Sequence, residues 1–208
     1  MVEIEYFGGN CVKIKNKKAS LIVDDNLDSL GLKSKTTDDS VSIVTSKDIE
    51  VSDKARFKVD CPGEYEISEV SIKGIANRAH LDESGKRATS YVIRLDGTVI
   101  AVLGHVHPEM TDEQLEELGM VDILIIPVGG SGYTLDPVGA VKLANKIDPK
   151  IVIPTHYADK DIKYPVPQVE LEEYLKICGT AEPERTNHLK IKESDLGDKM
   201  HTIVLERS

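Results

Sequence analysis

Two short runs, Val121 to Ile126 and Ile151-Val152-Ile153, are almost wholly apolar, and a helix signal separates them. Strands with no polar alternation are buried on both faces, so each must be covered by other layers. Between them, Asp136 is a helix N-cap and Pro137 occupies the first helical position, with Val138, Val141, Leu143 and Ile147 as the apolar stripe. This strand–helix–strand order fixes a layered α/β core for the second half of the chain. A capping box at Thr111 and Gln114 starts a helix over 111–118, which Gly119 closes. A further helix is expected over about 168–177, ended by Gly179, and final strands over 188–192 and 201–206.

The first half reads differently. Val2 to Tyr6 and Cys11 to Lys15 alternate with period two around a Phe7-Gly8-Gly9-Asn10 turn. Leu21-Ile22-Val23 and Val41 to Val44 are further strands, with an irregular polar loop over 26–40 between them. Short strands are expected over 56–60, 64–67 and 70–75, and Asp96-Gly97 marks a hairpin between 91–95 and 99–103. Strands, then strand–helix alternation, then strands again suit two packed sheets with helices outside. At 208 residues and 40% hydrophobic, the chain is read as one domain, residues 1–208, able to bury a real core.

Composition excludes several roles. A net charge of −10 argues against nucleic-acid binding. No apolar run reaches the roughly 18 residues of a membrane span, and the first residues do not read as a secretory leader. The expected compartment is cytoplasmic. Three widely spaced cysteines, Cys11, Cys61 and Cys178, form no disulfide framework. Gly129-Gly130-Ser131-Gly132 lacks the spacing of a phosphate loop or a serine elbow and is read as a turn. Lys13, Lys15, Lys17 and Lys18 read as one solvated strand face with its turn.

Chemistry concentrates where the apolar strands end. Thr45 to Glu50 follows Ile43-Val44, His105 and His107 follow Leu103-Gly104, and His156 follows Ile153-Pro154-Thr155. Strand ends of a layered protein hold side chains rigidly on one rim. Imidazoles and carboxylates together are ligands for zinc and similar divalent metals.

The stretches Thr111-Asp112-Glu113-Gln114, Val121-Asp122 to Gly129-Gly130 and Ile153-Pro154-Thr155-His156-Tyr157 resemble the metallo-β-lactamase superfamily. The branch is the one of ascorbate-phosphate lactonase and predicted zinc-dependent hydrolases. Tyr6 to Cys11, Asp24 and Pro62 to Glu66 fit the same branch, so the resemblance covers residues 2 to 160 and extends to the whole chain. It implies an α/β (α+β) protein: a four-layer αββα sandwich with a metal site on the shared rim.

The family's Thr-His-x-His-x-Asp-His motif is rewritten here as Thr45-Ser46-Lys47-Asp48-Ile49-Glu50-Val51. His80 and His156 match retained family histidines, and His105 stands where a bridging aspartate would follow glycine. A neutral imidazole cannot offset the repulsion of two dications roughly 3.5–4 Å apart. The resemblance therefore implies at most one zinc or manganese ion, or none, with His80, His105 and His156 as metal ligands. Asp48 or Glu50 would be a further ligand or the catalytic base, and Asp24 a carboxylate orienting the ligands. The expected function is hydrolysis of an ester, lactone or phosphodiester with a small-molecule substrate. The alternative is a non-catalytic binding or interaction scaffold. A homo-oligomer remains open.

Overall fold

A computed structural model describes residues 1–80 and 87–208. Two sheets face each other. The first has six strands, in spatial order β13 (Leu189–Ile191), β1 (Val2–Gly8), β2 (Cys11–Lys15), β3 (Ser20–Val23), β4 (Val41–Ile43) and β5 (Phe57–Val59). The second has eight, in the order β12 (Glu184–Thr186), β14 (His201–Leu205), β11 (Ile151–Thr155), β10 (Ile123–Pro127), β9 (Thr98–Val102), β8 (Ala88–Leu95), β7 (Val70–Asn77) and β6 (Gly63–Ile67). The β9, β10, β11 and β14 strands run parallel, and β6 to β9 form an antiparallel meander.

Alternation decides which side chains meet. Ile4, Tyr6, Ile14, Val23 and Ile43 of the first sheet pack against Tyr91, Ile93, Val102, Ile125 and Ile153 of the second. The opposite face of the second sheet carries Val92, Ala101, Leu124, Ile126 and Val152 against the helices. That double cover is why β10 and β11 are buried at every position. The helices are α1 (Asp112–Leu118), α2 (Pro137–Ile147) and α3 (Leu171–Ile177). The capping box of Thr111 with Gln114 is formed, and Asp136 Oδ1 accepts from Gly139 N at 2.6 Å.

The two-sheet α/β class is as expected, but the layers are unequal. Three helices lie on the eight-stranded sheet. The outer face of the first sheet is closed by Leu27 and Leu32, from the irregular segment after β3, on Phe7, Cys11 and Ile22. The expected fourth layer is thus loop packing among the described residues, because the polar 26–40 segment offers no helical stripe. The α3 helix starts at Leu171, three residues later than expected. Residues before it are held extended, with Val169 N donating to Gly129 O at 2.8 Å and Ala158 N donating to Val169 O at 2.9 Å. The β12 strand was not anticipated; it is short, polar and at the sheet edge.

Tight approaches of backbone bring the strand ends together. A Cβ on Gly104, just after β9, would stand 1.7 Å from Thr45 Oγ1, so only glycine lets β9 and β4 close over each other. No helix among the described residues is long and apolar enough to cross a membrane.

Candidate functional site

The ends of β1, β3, β4, β9 and β11 converge on one rim. At the end of β3 the backbone turns through a left-handed residue, Asp24, with φ 42°. Its carboxylate is fully buried and accepts from Thr45 N at 2.8 Å and from Thr45 Oγ1 at 2.5 Å. Burial pushes its pKa up to about 6, against hydrogen bonds from Thr45 and from the Asn10 side chain that favour the charged form.

Asn10 comes from the turn after β1, which the glycine pair before it permits. Its Nδ2 lies 3.3 Å from His105 Nδ1, and its Oδ1 accepts from Thr155 Oγ1 at 3.0 Å. His105 follows Gly104 and is buried at 7% exposure. Burial, with His156 and His80 nearby, drives its pKa well below the ordinary imidazole value. His105 Nε2 is buried and has no hydrogen-bond partner.

His156 follows β11 with φ 55°, a strained conformation for a side-chain-bearing residue. Its backbone N donates to Gly9 O at 2.8 Å, and its Nδ1 lies 3.0 Å from Gln168 Oε1. Burial lowers its pKa to about 4, against the stabilising Gln168 contact. Gly129 lets this corner close, since a Cβ there would lie 1.9 Å from His156 O and 2.3 Å from Gln168 Oε1. Gly129-Gly130-Ser131-Gly132 is a turn, as expected.

The His105 and His156 rings meet edge to face, with centroids 5.2 Å apart at 86°. Tyr133 stands edge-on to His105 at 5.0 Å, and Tyr164 lies 4.9 Å from His156. His80 is coupled to this pair through its backbone, its N donating to His105 O at 2.9 Å. Its ring neighbours His107 at 6.1 Å, and its Nδ1 is buried without a partner. Burial first, and the His107 charge second, lower its pKa.

A cleft of about 470 Å³ opens above, lined in part by His156, Tyr133, Lys163, Asp48 and Glu50. Asp48 and Glu50 stand exposed at its mouth, and the Asp48 carboxylate is ion-paired with Arg87. The structure therefore brings His105 and His156 together, places His80 beside them with its ring toward His107, and leaves both carboxylates at the surface.

A catalytic zinc is held by three protein ligands and a water. His105 Nε2 and His80 Nδ1 are buried without a hydrogen-bond partner. Yet no group of three or more His, Cys, Asp or Glu side chains is placed to hold a metal among the described residues. The residues present do not fit the metal implied by the family resemblance.

Four contributors escaped sequence reading: Asn10, Tyr133, Tyr164 and Gln168. Asn10 alone carried a local signal, a polar residue in a glycine turn at a strand end. The others reach the rim only through tertiary packing.

Comparison with known proteins gives this geometry its context. The family model of the β-lactamase superfamily domain matches residues 3–156. A UPF0173 metal-dependent hydrolase of Thermococcus onnurineus is 33% identical over 105 residues, 48% of this chain and 45% of that protein. The chain thus matches about half the length of that curated relative. A Thermotoga maritima structure assigned to the Zn-dependent hydrolases of the metallo-β-lactamase superfamily has a TM-score of 0.77 at 25% identity, covering 99% of this chain and 100% of that one. Igni18, a metallo hydrolase of Ignicoccus hospitalis, has a TM-score of 0.61 at 17% identity, covering 92% and 99%, and so shares the fold.

Proposed function

The chain belongs to the β-lactamase superfamily, and from that membership we propose that it binds a small polar molecule in the cleft above His156, at the rim the fold reserves for chemistry. The names of its relatives imply a metal cofactor in their hydrolysis. This chain keeps the rim and offers a different surface on it. The observation that carries the reading is the pair His105 and His156, buried, neutral and free of any carboxylate ligand beside them. Both rings lose their charge on burial, and His156, which lines the cleft, offers it a neutral hydrogen-bonding group. A base with a pKa of about 4 is also poorly matched to proton abstraction near pH 7. The ligand sits against Tyr133 and His156, with Lys163 and Glu50 at the mouth supplying charge of either sign.

A second reading is favoured by the unpartnered nitrogens of His105 and His80. In it, His80, His105 and His156 hold a single zinc or manganese after His80 rotates, and the protein hydrolyses an ester, lactone or phosphodiester.

One experiment separates the two. The protein is purified without chelator or histidine tag, and bound metal is measured for the wild type and for His105→Ala with His156→Ala. The binding reading expects far less than one ion per chain and no turnover of lactone or phosphodiester substrates when zinc or manganese is added. One ion per chain, lost in the double variant and accompanied by turnover, refutes it in favour of the hydrolase.

A further inference from the structure

The two histidines are held by two side-chain amides, and the amides face them with opposite ends. A carboxamide nitrogen only donates and its oxygen only accepts, whereas a neutral imidazole carries one N–H and one lone pair. Which ring nitrogen bears the hydrogen is therefore decided by the end of the amide that meets it.

For Asn10 three contacts agree on the orientation. Its Oδ1 takes the hydroxyl of Thr155 at 3.0 Å. Its Nδ2 faces His105 Nδ1 at 3.3 Å, and the side chain lies near enough to Asp24 to favour that carboxylate's charged form. An ionised carboxylate accepts and cannot donate, so the group turned toward Asp24 is the NH2. The NH2 has two hydrogens, one for Asp24 and one for His105. Nδ1 of His105 must then present its lone pair. For Gln168 the orientation is also fixed, because its Nε2 donates to Val166 O at 3.0 Å. Its Oε1 is left for His156 Nδ1, which must carry the hydrogen.

We propose that Asn10 is a positioning residue that sets the hydrogen of His105 on Nε2, so that this ring presents an N–H where a metal ligand needs a lone pair. His156 is set the other way, with an open lone pair on Nε2. The pair is then a donor beside an acceptor, and this mismatch is what keeps a metal from using both rings. The idea deepens the binding reading above by naming the cause of the poor metal fit. In metal sites, a ligating histidine gives its second N–H to an oxygen acceptor, which leaves the other nitrogen free to bind. Asn10 does the reverse to His105, whereas Gln168 gives His156 Nδ1 an oxygen acceptor of that kind. One atom of one side chain separates the two situations.

The test needs no activity. Long-range proton–nitrogen correlation spectra of the uniformly labelled protein at about pH 7.5 report which nitrogen of each histidine is protonated, and His105→Gln and His156→Gln assign the signals. The expected result is the Nε2–H form for His105 and the Nδ1–H form for His156. An Nδ1–H form for His105 overturns the proposal, whatever metal the protein carries. Asn10→Asp, combined with Asp24→Asn so that no second carboxylate faces it, replaces the donor by an acceptor. With circular dichroism establishing that the variant is folded, His105 should switch to the Nδ1–H form. Zinc affinity, measured by competition with a chromophoric chelator, should rise at least about tenfold, the scale of such outer partners. A folded double variant whose His105 stays in the Nε2–H form also overturns it. The binding reading fails separately: wild-type protein with a turnover-competent ion would sink that reading, while an Nε2–H His105 in the same sample would leave the role of Asn10 standing.

Discussion

Replacing Gly104 by alanine tests the close approach on which the rim is built. The new Cβ would sit 1.7 Å from Thr45 Oγ1, 2.2 Å from Thr45 Cβ and 2.9 Å from Thr45 Cγ2. Rotating Thr45 cannot relieve this, because its own Cβ is in the way. The backbone of β9 or β4 must shift, and overpacking of that kind costs about 1–3 kcal/mol. The shift also pulls Thr45 from Asp24, where two hydrogen bonds serve a buried carboxylate. Losing one such bond to a charged group adds about 1.5–3 kcal/mol. The expected loss is therefore about 2.5–6 kcal/mol, a large share of the roughly 5–15 kcal/mol that holds a domain together. Urea unfolding at about pH 7.5, followed by circular dichroism, measures it for Gly104→Ala, Thr45→Gly and the double variant. Because Thr45→Gly removes the three atoms nearest the new methyl, the double-variant cycle should show a coupling of at least about 1.5 kcal/mol, within the range for residues in contact. A loss below about 0.5 kcal/mol for Gly104→Ala, or additive losses in the cycle, would refute the argument from close approach.

Acid behaviour should expose two opposed groups. Asp24 titrates near 6 in the fold, above its usual 3.8, so the folded state holds its proton longer and this contribution to stability falls as pH rises from about 4 to about 6. His156 titrates near 4 instead of 6.5, so its contribution rises over about pH 4 to 6.5. Each amounts to about 3 kcal/mol at 1.36 kcal/mol per pKa unit, and Asp24→Asn should make stability climb more steeply with pH across that window in urea titrations; an unchanged slope counts against a buried, charge-averse Asp24. Removing the Gln168 contact by Gln168→Leu should lower the His156 pKa further, read by NMR titration, and a rise would contradict the contact's sign. Tyr91 donates to Val44 O at 3.0 Å and stands 3.2 Å from Val59 O with its ring fully buried, so Tyr91→Phe should cost about 1–2 kcal/mol in urea midpoint and slope. Arg207 bonds Asp159 at 2.7 Å and Asp161 at 2.6 Å, so Arg207→Ala should speed amide exchange in residues 158–164 while changing global stability by no more than about 1 kcal/mol.

The elements that could be read from the sequence are those whose cause is local. Asp96-Gly97 turns a hairpin because both residues adopt positive φ, 50° and 80°. Thr111 with Gln114, and Asp136 with Pro137, start helices through bonds spanning three residues. The edge strand β12 has no such cause: Glu184-Arg185-Thr186 is polar, and it is a strand only because β14 lies beside it. The site divides in the same way. His105 and His156 were marked by the apolar strands preceding them. The partners that define their chemistry, Asn10 and Gln168, lie 95 residues before one and 12 after the other, and no spacing rule links an amide to a ring across such distances. Asp48 and Glu50 were suggested by the family resemblance, and both stand exposed to solvent.

His156 has one more implication, for the conformational cost of its corner. At φ 55° any residue with a Cβ pays a conformational penalty of about 1–2 kcal/mol, from which glycine is exempt. The backbone at this corner would therefore be better served by glycine, the residue type that stands 27 positions earlier at Gly129. A glycine there would relieve the backbone and remove the ring. The imidazole stands on a corner whose local geometry disfavours it, and Asp24 also has a positive φ, 42°, at the end of another strand. Two rim side chains are thus held at a conformational expense, so the backbone angles mark this rim independently of any sequence motif.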